Sequence, residues 1–299
     1  MTKKREFALS NTNGAVTAAI EQKQVEDRVA IGVNVVYEGV RREGDEELQR
    51  PATALAWSAL AAGLSMRFSF IAEVILQTHL LERPWRPLIS KTGYCAGFLV
   101  VILARQQLFT ENTLTIILPL LLRKSQRILF RVLRVWSGVL GANLVGIFLF
   151  AQAVARSDLF QPEVQRSLPE IGIEHIGASF GRVFIRAIFT GWLIAMMAWL
   201  LPAADSSRVV IIIILMYLVG LGGFNHIVAG STTMFYLLAT GSLGWGTYLV
   251  HFFLPTLLGN ITAGVSLVAG LGPAHVLGAN LNSPLTINLH PVPKTQYAN

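Results

Sequence analysis

The chain has 299 residues, of which 53% are hydrophobic and only 14% charged, with a mean hydropathy of +0.54. A soluble domain carries roughly a quarter charged residues, so a water-soluble globule is excluded. The net charge of +7 fits basic loops beside a membrane better than a nucleic-acid surface, and the single cysteine, Cys95, leaves no intramolecular disulfide and no zinc or redox cofactor to expect.

Residues 1–28 are polar, the composition of a disordered leader, with no short apolar core to act as a signal sequence. From Arg28 to Arg42, Val29, Ile31, Val33, Val36 and Val40 form the rough apolar face of an amphipathic helix. The run 41–47 is expected to continue as solvated charged chain lying on the headgroups. Apolar blocks of ~20 residues, enough to cross ~30 Å of hydrocarbon, then give six spans near 52–79, 91–122, 128–154, 182–203, 208–240 and 247–271. The loop 156–180 carries Pro162 and Pro169 and has room for a short helix, and a polar tail follows the last span. The chain thus divides into a leader, 1–51, a membrane body, 52–272, and a tail, 273–299.

Two spans are interrupted midway. Span 2 is broken at 105–112, Arg-Gln-Gln-Leu-Phe-Thr-Glu-Asn. Span 5 is broken at 222–226, Gly-Gly-Phe-Asn-His, followed by Gly230, Ser231, Thr232 and Thr233. Non-helical backbone survives at membrane depth only when buried in protein or lining a wet cavity, and paired broken helices in corresponding positions of two halves point to a solute site. The chain is therefore expected to be an all-α polytopic membrane protein. Its six transmembrane helices form two inverted three-helix repeats with broken second and fifth helices.

Arg123, Lys124, Arg127, Arg131 and Arg134 crowd the connection between spans 2 and 3 with no acid among them. That loop is expected in the cytoplasm, and an even number of spans puts both termini there too. Arg83, Arg86 and Lys91 weigh mildly against this, five basic residues outweighing three.

Spans 3 and 6 each hold an Asn at mid-span beside small residues, Asn143 and Asn260. Each amide is placed to satisfy backbone groups freed at the neighbouring break, since buried polar groups need partners. His226 lies inside the second break. An ionisable group at that depth is costly and points to function, and imidazole can donate to a passing anion or exchange a proton with it. A neutral histidine bonded to carbonyls at the break is the plainer alternative. Arg67, near the middle of span 1, costs at least ~2.5 kcal/mol if unpaired. It either lines a vestibule and attracts anions or pairs with Glu73 or Glu111.

Leu108-Phe109-Thr110 and Phe224-Asn225-His226 resemble the signature loops of the formate/nitrite transporter family, and the match in spans, breaks and asparagines covers about 52–272. The resemblance implies an aquaporin-like homopentamer in a lipid bilayer, each protomer having its own pore for small monovalent anions or their acids. It implies no cofactor and no nucleic acid, and places the protein in a bacterial inner membrane. It pairs His226 with Thr110 at the centre, assigns Tyr94 and Phe98 to constrictions, places Val219 where the family often has Phe, and matches Asn260 to the family's span 6 Asn. Arg105 adds charge to the first loop, as does Glu111. Asn225 and Gly230 stand where the family commonly has Glu and Asn, Gly191 where an Asn is frequent, and no Lys occurs between Arg166 and Arg208. These departures mark a divergent subgroup.

Two other functions compete. A neutral-solute or water channel could use the same fold, although the tandem Asn-Pro-Ala boxes of aquaporins are absent. An intramembrane hydrolase would need Ser231 or Ser242 as nucleophile with His226 as base, yet nothing resembles an oxyanion motif.

Overall fold

The computed structural model describes residues 32–173 and 177–280, and every regular element among them is helical. The expected leader, 1–28, and the end of the tail, 281–299, lie outside the described residues.

Helix α1, Val33–Gln49, precedes the membrane body. Span 1 is α2, Ala52–Ser65, and α3, Arg67–His79, joined through Met66, whose backbone is itself right-handed helical. Span 2 begins with α4, Arg86–Ser90, and a 3-10 turn, Lys91–Tyr94, continues as α5, Cys95–Leu103, and resumes after its break as α6, Phe109–Thr115, and α7, Ile117–Arg123. Span 3 is α8, Gln126–Ala155, and the long loop contains α9, Pro162–Ile173. Span 4 is α10, Phe180–Leu200, and span 5 consists of α11, Arg208–Leu221, and α12, Ile227–Ala239. Span 6 opens with α13, Trp245–Thr247, and a π-helical turn, Tyr248–Phe253, then runs as α14, Leu254–Asn280, past the expected end of the body.

The half-helices α11 and α12, of 14 and 13 residues, are each too short to span alone, since ~20 residues are needed. The outer faces carry Trp57, Phe130, Val145, Ile214 and Val250, each more than half exposed, as suits a body whose solvent is lipid. Cys95 is buried, its thiol on the Ile213 carbonyl.

The two halves are built alike. Span 1 packs along span 3, and span 4 along span 6. Each half then lends its second half-helix to the other: α6 packs on α10 and α14, while α12 packs on α8 and α3. The two breaks therefore meet in the middle of the body.

Two expectations change. The charged run 41–47 is not a solvated tether but the continuation of α1. Val36, Val40 and Leu48 are buried on one side, and Gly44 lies so close to the Thr115 carbonyl that a Cβ would not fit. Its charges are satisfied locally: Arg41 bonds Glu38 and Asp45, and Asp45 also holds Arg123 at 2.7 Å. The Arg41 and Arg42 guanidiniums hold the Glu38 carboxyl down to about 2. The first break is also narrower than expected. Helix resumes at Phe109, so Phe109–Asn112 is already helical, as is Gly230–Thr233 in the second half. Hydroxyls at or next to these positions bond back to the helix, Thr113 Oγ1 to the Thr110 carbonyl at 2.7 Å and Ser231 Oγ to that of Ile227 at 2.5 Å.

Candidate functional site

The two breaks have the same backbone course. Each chain segment leaves its first half-helix through one left-handed residue, Arg105 (φ 52°) or Gly223 (φ 59°). The next amide turns back to the helix, Gln106 to the Val101 carbonyl at 2.9 Å and Phe224 to that of Val219 at 3.1 Å, the bond that closes a helix C-terminus on a left-handed residue. Each break ends on an extended residue that starts the second half-helix, Leu108 (φ −108°, ψ 125°) or His226 (φ −111°, ψ 129°).

Asn143 and Asn260 complete the match. Asn143 Oδ1 accepts from the Phe109 amide at 3.1 Å, and its Nδ2 donates to the carbonyls of Ala59 and Gln107 at 2.7 and 2.9 Å. Asn260 Oδ1 accepts from the Ile227 amide at 3.0 Å, and its Nδ2 donates to Ala187 and Asn225 at 2.8 and 3.2 Å. Each amide thus ties an unwound segment to the neighbouring continuous span, using the groups that a broken helix leaves without partners.

The halves differ where it matters chemically. Where the first break has Leu108, fully buried, the second has His226. His226 caps α12: its Nδ1 accepts from the amides of Val228 and Ala229 at 3.1 and 2.9 Å. It bonds amides rather than carbonyls, and this fixes its tautomer. With Nδ1 occupied by two N–H donors, the neutral ring carries its proton on Nε2. The Nε2–H then donates to Thr110 Oγ1 at 2.8 Å, joining the first half's α6 to the second half's α12. Thr110 keeps its own hydroxyl hydrogen to offer to an acceptor.

Aromatic rings stand beside this contact. Phe98 meets the His226 ring edge-on at 5.2 Å and packs on Tyr94 at 5.3 Å, and Tyr94 lies across Gly220, with no spare room for a Cβ there. Val219, the residue before Gly220, is fully buried.

A cavity lies on each side. The first, of about 620 Å³, is on the α1 face and is lined by Arg42, Glu43, Glu47, Arg105, Gln107 and Glu111, among others. Arg105 reaches Glu43 there at 3.1 Å. The second is only about 40 Å³ and is lined by Glu73, Lys91, Tyr94, Val219, Phe224, Asn225 and His226, among others. The buried Thr110–His226 contact lies between them.

The other expected residues lie off the central contact. Phe109 packs on Trp136 at 6.1 Å and lines neither cavity. Asn143 and Asn260 lie behind the breaks, and Phe224 stacks on Phe189 at 5.2 Å. Arg67 lines neither cavity. It is buried, donates Nη1 to the Gly146 carbonyl and lies 4.3 Å over the Phe150 ring, while its Nε and Nη2 have no hydrogen-bond partner. The vestibule expected for it is not where it lies: its guanidinium is turned to span 3, at the Gly146 carbonyl. Ser231 bonds Ile227 and Tyr248 rather than His226.

The ion pair Lys91–Glu73, 2.6 Å apart in the second cavity, was not anticipated as a site. Its signal was an acid inside an apolar span followed by a base at the start of the next. No cluster of potential metal ligands occurs among the described residues.

The sequence profile described as formate/nitrite transporter matches residues 34–272. The inner membrane protein YfdC of Escherichia coli (strain K12) is 39% identical over 251 residues, 84% of this chain and 81% of its own. The formate-nitrite transporter of Plasmodium knowlesi (strain H) is 27% identical over 245 residues, covering 76% of this chain and 77% of its own. Among solved structures, a pentameric formate channel with formate bound superposes with a TM-score of 0.66 at 19% identity, over 76% of this chain and 98% of that one. An ion channel described as of the FNT family gives the same TM-score and identity over 84% and 98%.

Proposed function

The chain belongs to the formate/nitrite transporter family, and we propose that it conducts small monovalent anions such as formate or nitrite, or their conjugate acids, through a path in each protomer that crosses the Thr110–His226 contact. The observation that carries this reading is the tautomer of His226. Both ring nitrogens are engaged in a neutral ring, so the centre of the body offers hydrogen-bond donors and no charge.

An apolar constriction with no cation is prohibitive for a bare anion, whereas a neutral acid loses only its hydrogen bonds to water. His226 Nε2–H and the Thr110 hydroxyl restore such bonds midway, and Phe98 and Leu108 keep water out on either side. Because Nδ1 is occupied by two amides, His226 acts as a fixed donor and not as the source of the substrate's proton. That proton enters with the substrate from a cavity.

The six-helix body is the conducting unit, and relatives of this fold support a homopentamer. The basic residues Arg123 to Arg134 lie on the α1 face, with Arg123 on Asp45 and Arg134 on the Leu48 carbonyl. Positive charge marks the cytoplasmic side, so the first cavity opens to the cytoplasm of a bacterial inner membrane and α1 lies on that side. The engagement of Ser231 away from His226 supports conduction over hydrolysis.

The test is flux into proteoliposomes of the full chain, with formate, nitrite, acetate and hydrosulfide compared and water permeability measured alongside. The reading requires saturable flux of at least one of the anions, lowered by His226→Ala. Water permeation alone overturns it.

A further inference from the structure

The second cavity holds an ion pair that the central contact does not use. Lys91 Nζ lies 2.6 Å from Glu73 Oε1, the side chains being 14% and 4% exposed. Close packing of span 2 on span 1 brings the two together. A Cβ at Gly93 would lie 2.5 Å from the Glu73 amide nitrogen, and one at Gly97 2.5 Å from the Met66 carbonyl oxygen. Only glycine at both positions lets the turn that carries Lys91 approach this near.

Among the described residues lining this cavity, Lys91 is the only Lys or Arg and Glu73 the only acid. A carboxylate on an ammonium is also the contact that a small anion would make. The free space is small, about 40 Å³, room for a few waters. An anion that binds the Lys91 ammonium directly must therefore take the place of the Glu73 carboxylate.

We propose that Lys91 is the anion-docking site of the second cavity and that Glu73 is its tethered counter-ion, leaving Lys91 when it takes up a proton and passing that proton to the anion that replaces it. The inference rests on the conducting function proposed above.

The cycle balances. The Glu73 carboxylate accepts a proton from solvent, and the anion takes its place on the Lys91 ammonium, so one negative charge still faces one positive charge. The O–H bond of Glu73 then breaks as an O–H bond forms on the substrate. The regenerated carboxylate returns to Lys91, and the neutral acid is left beside His226, which also lines the cavity. Among the described residues lining the cavity, the other titratable groups are Tyr94, from the same turn, and His226, whose Nδ1 is occupied by two amides. Helix α9 contributes Ile171 and α12 contributes Thr233, neither of them charged. Among the described residues, no other carboxyl lining the cavity can carry the proton.

The experiment measures the half-saturating anion concentration between pH 5 and 8 in proteoliposomes, using whichever of formate, nitrite, acetate and hydrosulfide gives the largest wild-type flux. Wild type is expected to change by about tenfold per pH unit, one proton per anion. Glu73→Gln is expected to bind the anion with no pH dependence, Lys91→Met to lose saturation, and Glu73→Asp to keep the wild-type slope. The last separates a lost carboxyl from a damaged fold. A flat wild-type profile, an unchanged slope in Glu73→Gln, or unaltered saturation in Lys91→Met overturns the proposal while leaving the conducting reading intact. Absence of any wild-type flux overturns the conducting reading itself.

Discussion

Arg105 and Gly223 hold the same left-handed backbone conformation at matching points of the two breaks, φ 52° and 59°. Glycine takes it without cost, whereas a side chain there costs about 1–2 kcal/mol. Arg105 spends that strain to place a guanidinium in the first cavity, where its exposed pair with Glu43 returns less than about 1 kcal/mol. Arg105→Gly is therefore expected to leave thermal stability equal or raised by up to about 1 kcal/mol, and Gly223→Ala to lower it by about 1–2 kcal/mol. Melting of the purified protein in detergent checks both, and a destabilised Arg105→Gly would contradict the strain argument.

His226 has two separable tasks, capping α12 through Nδ1 and donating to Thr110 through Nε2. Asparagine is a good N-cap but is too short to reach Thr110 as well. His226→Asn should keep most of the stability and lose flux by about tenfold, the equivalent of one buried hydrogen bond. His226→Ala should lose both. Flux and melting temperature measured on the two variants distinguish them, and equal stability of Asn and Ala would remove the capping role.

Asn143 and Asn260 each satisfy one amide and two carbonyls. Truncation to alanine strands those groups in an apolar interior at about 1–3 kcal/mol each. Either Asn→Ala variant should be strongly destabilised, with the effect of both falling on the broken spans. Hydrogen exchange should show the amides of Phe109 and Ile227, respectively, losing protection first. Protection lost uniformly along the body would argue against this assignment.

Two carboxyls of α1 are expected to give opposed pH dependences, Glu38 through pairs within the helix itself and Glu47 through its docking. Glu38, paired with Arg41 and Arg42, has its carboxyl depressed to about 2. Its contribution is present above the unfolded value near 4.3 and is lost as pH falls from there towards 2. Burial instead pushes the Glu47 carboxyl up, against the opposing influence of Arg50. Its ionised form disfavours docking, so this part is lost as pH rises through the raised value. Glu47→Gln should therefore protect α1 from proteolysis better than wild type at pH 7.5, with the difference vanishing near pH 4. The opposite order would reverse the sign assigned to Glu47.

The breaks were legible in the sequence because polar residues inside an apolar run are costly at membrane depth unless they serve a site, whereas the Thr110–His226 pairing was legible only through the resemblance of the two loops to those of the family. The asparagines were legible for the same reason as the breaks. Where helix resumes was not, since Thr110, Glu111 and Asn112 are polar and look in sequence like residues of an unwound loop, although the helix has already resumed at Phe109. The charged run 41–47 hid its helix because its partner, the backbone of Thr115, is distant in the chain. The Lys91–Glu73 pair was hidden because the two fall in different spans, joined only through the close approach at Gly93.

In sequence Arg67 reads as a vestibule cation or a paired one, and its actual setting leads to an unusual expectation. Nε and Nη2 are buried without partners, and Nη1 has only the carbonyl of a helical residue, Gly146. The contact with Phe150 offsets about 2 kcal/mol, less than the desolvation of an unpaired guanidinium. Replacing buried charge by an apolar side chain of similar volume is often stabilising by about 1–4 kcal/mol. Arg67→Met should therefore raise the unfolding temperature and, because Arg67 lines neither cavity, leave anion flux unchanged. A variant that melts lower, or whose flux falls while its stability holds, would mean that the guanidinium has a partner in the assembled protein or a place on the solute path.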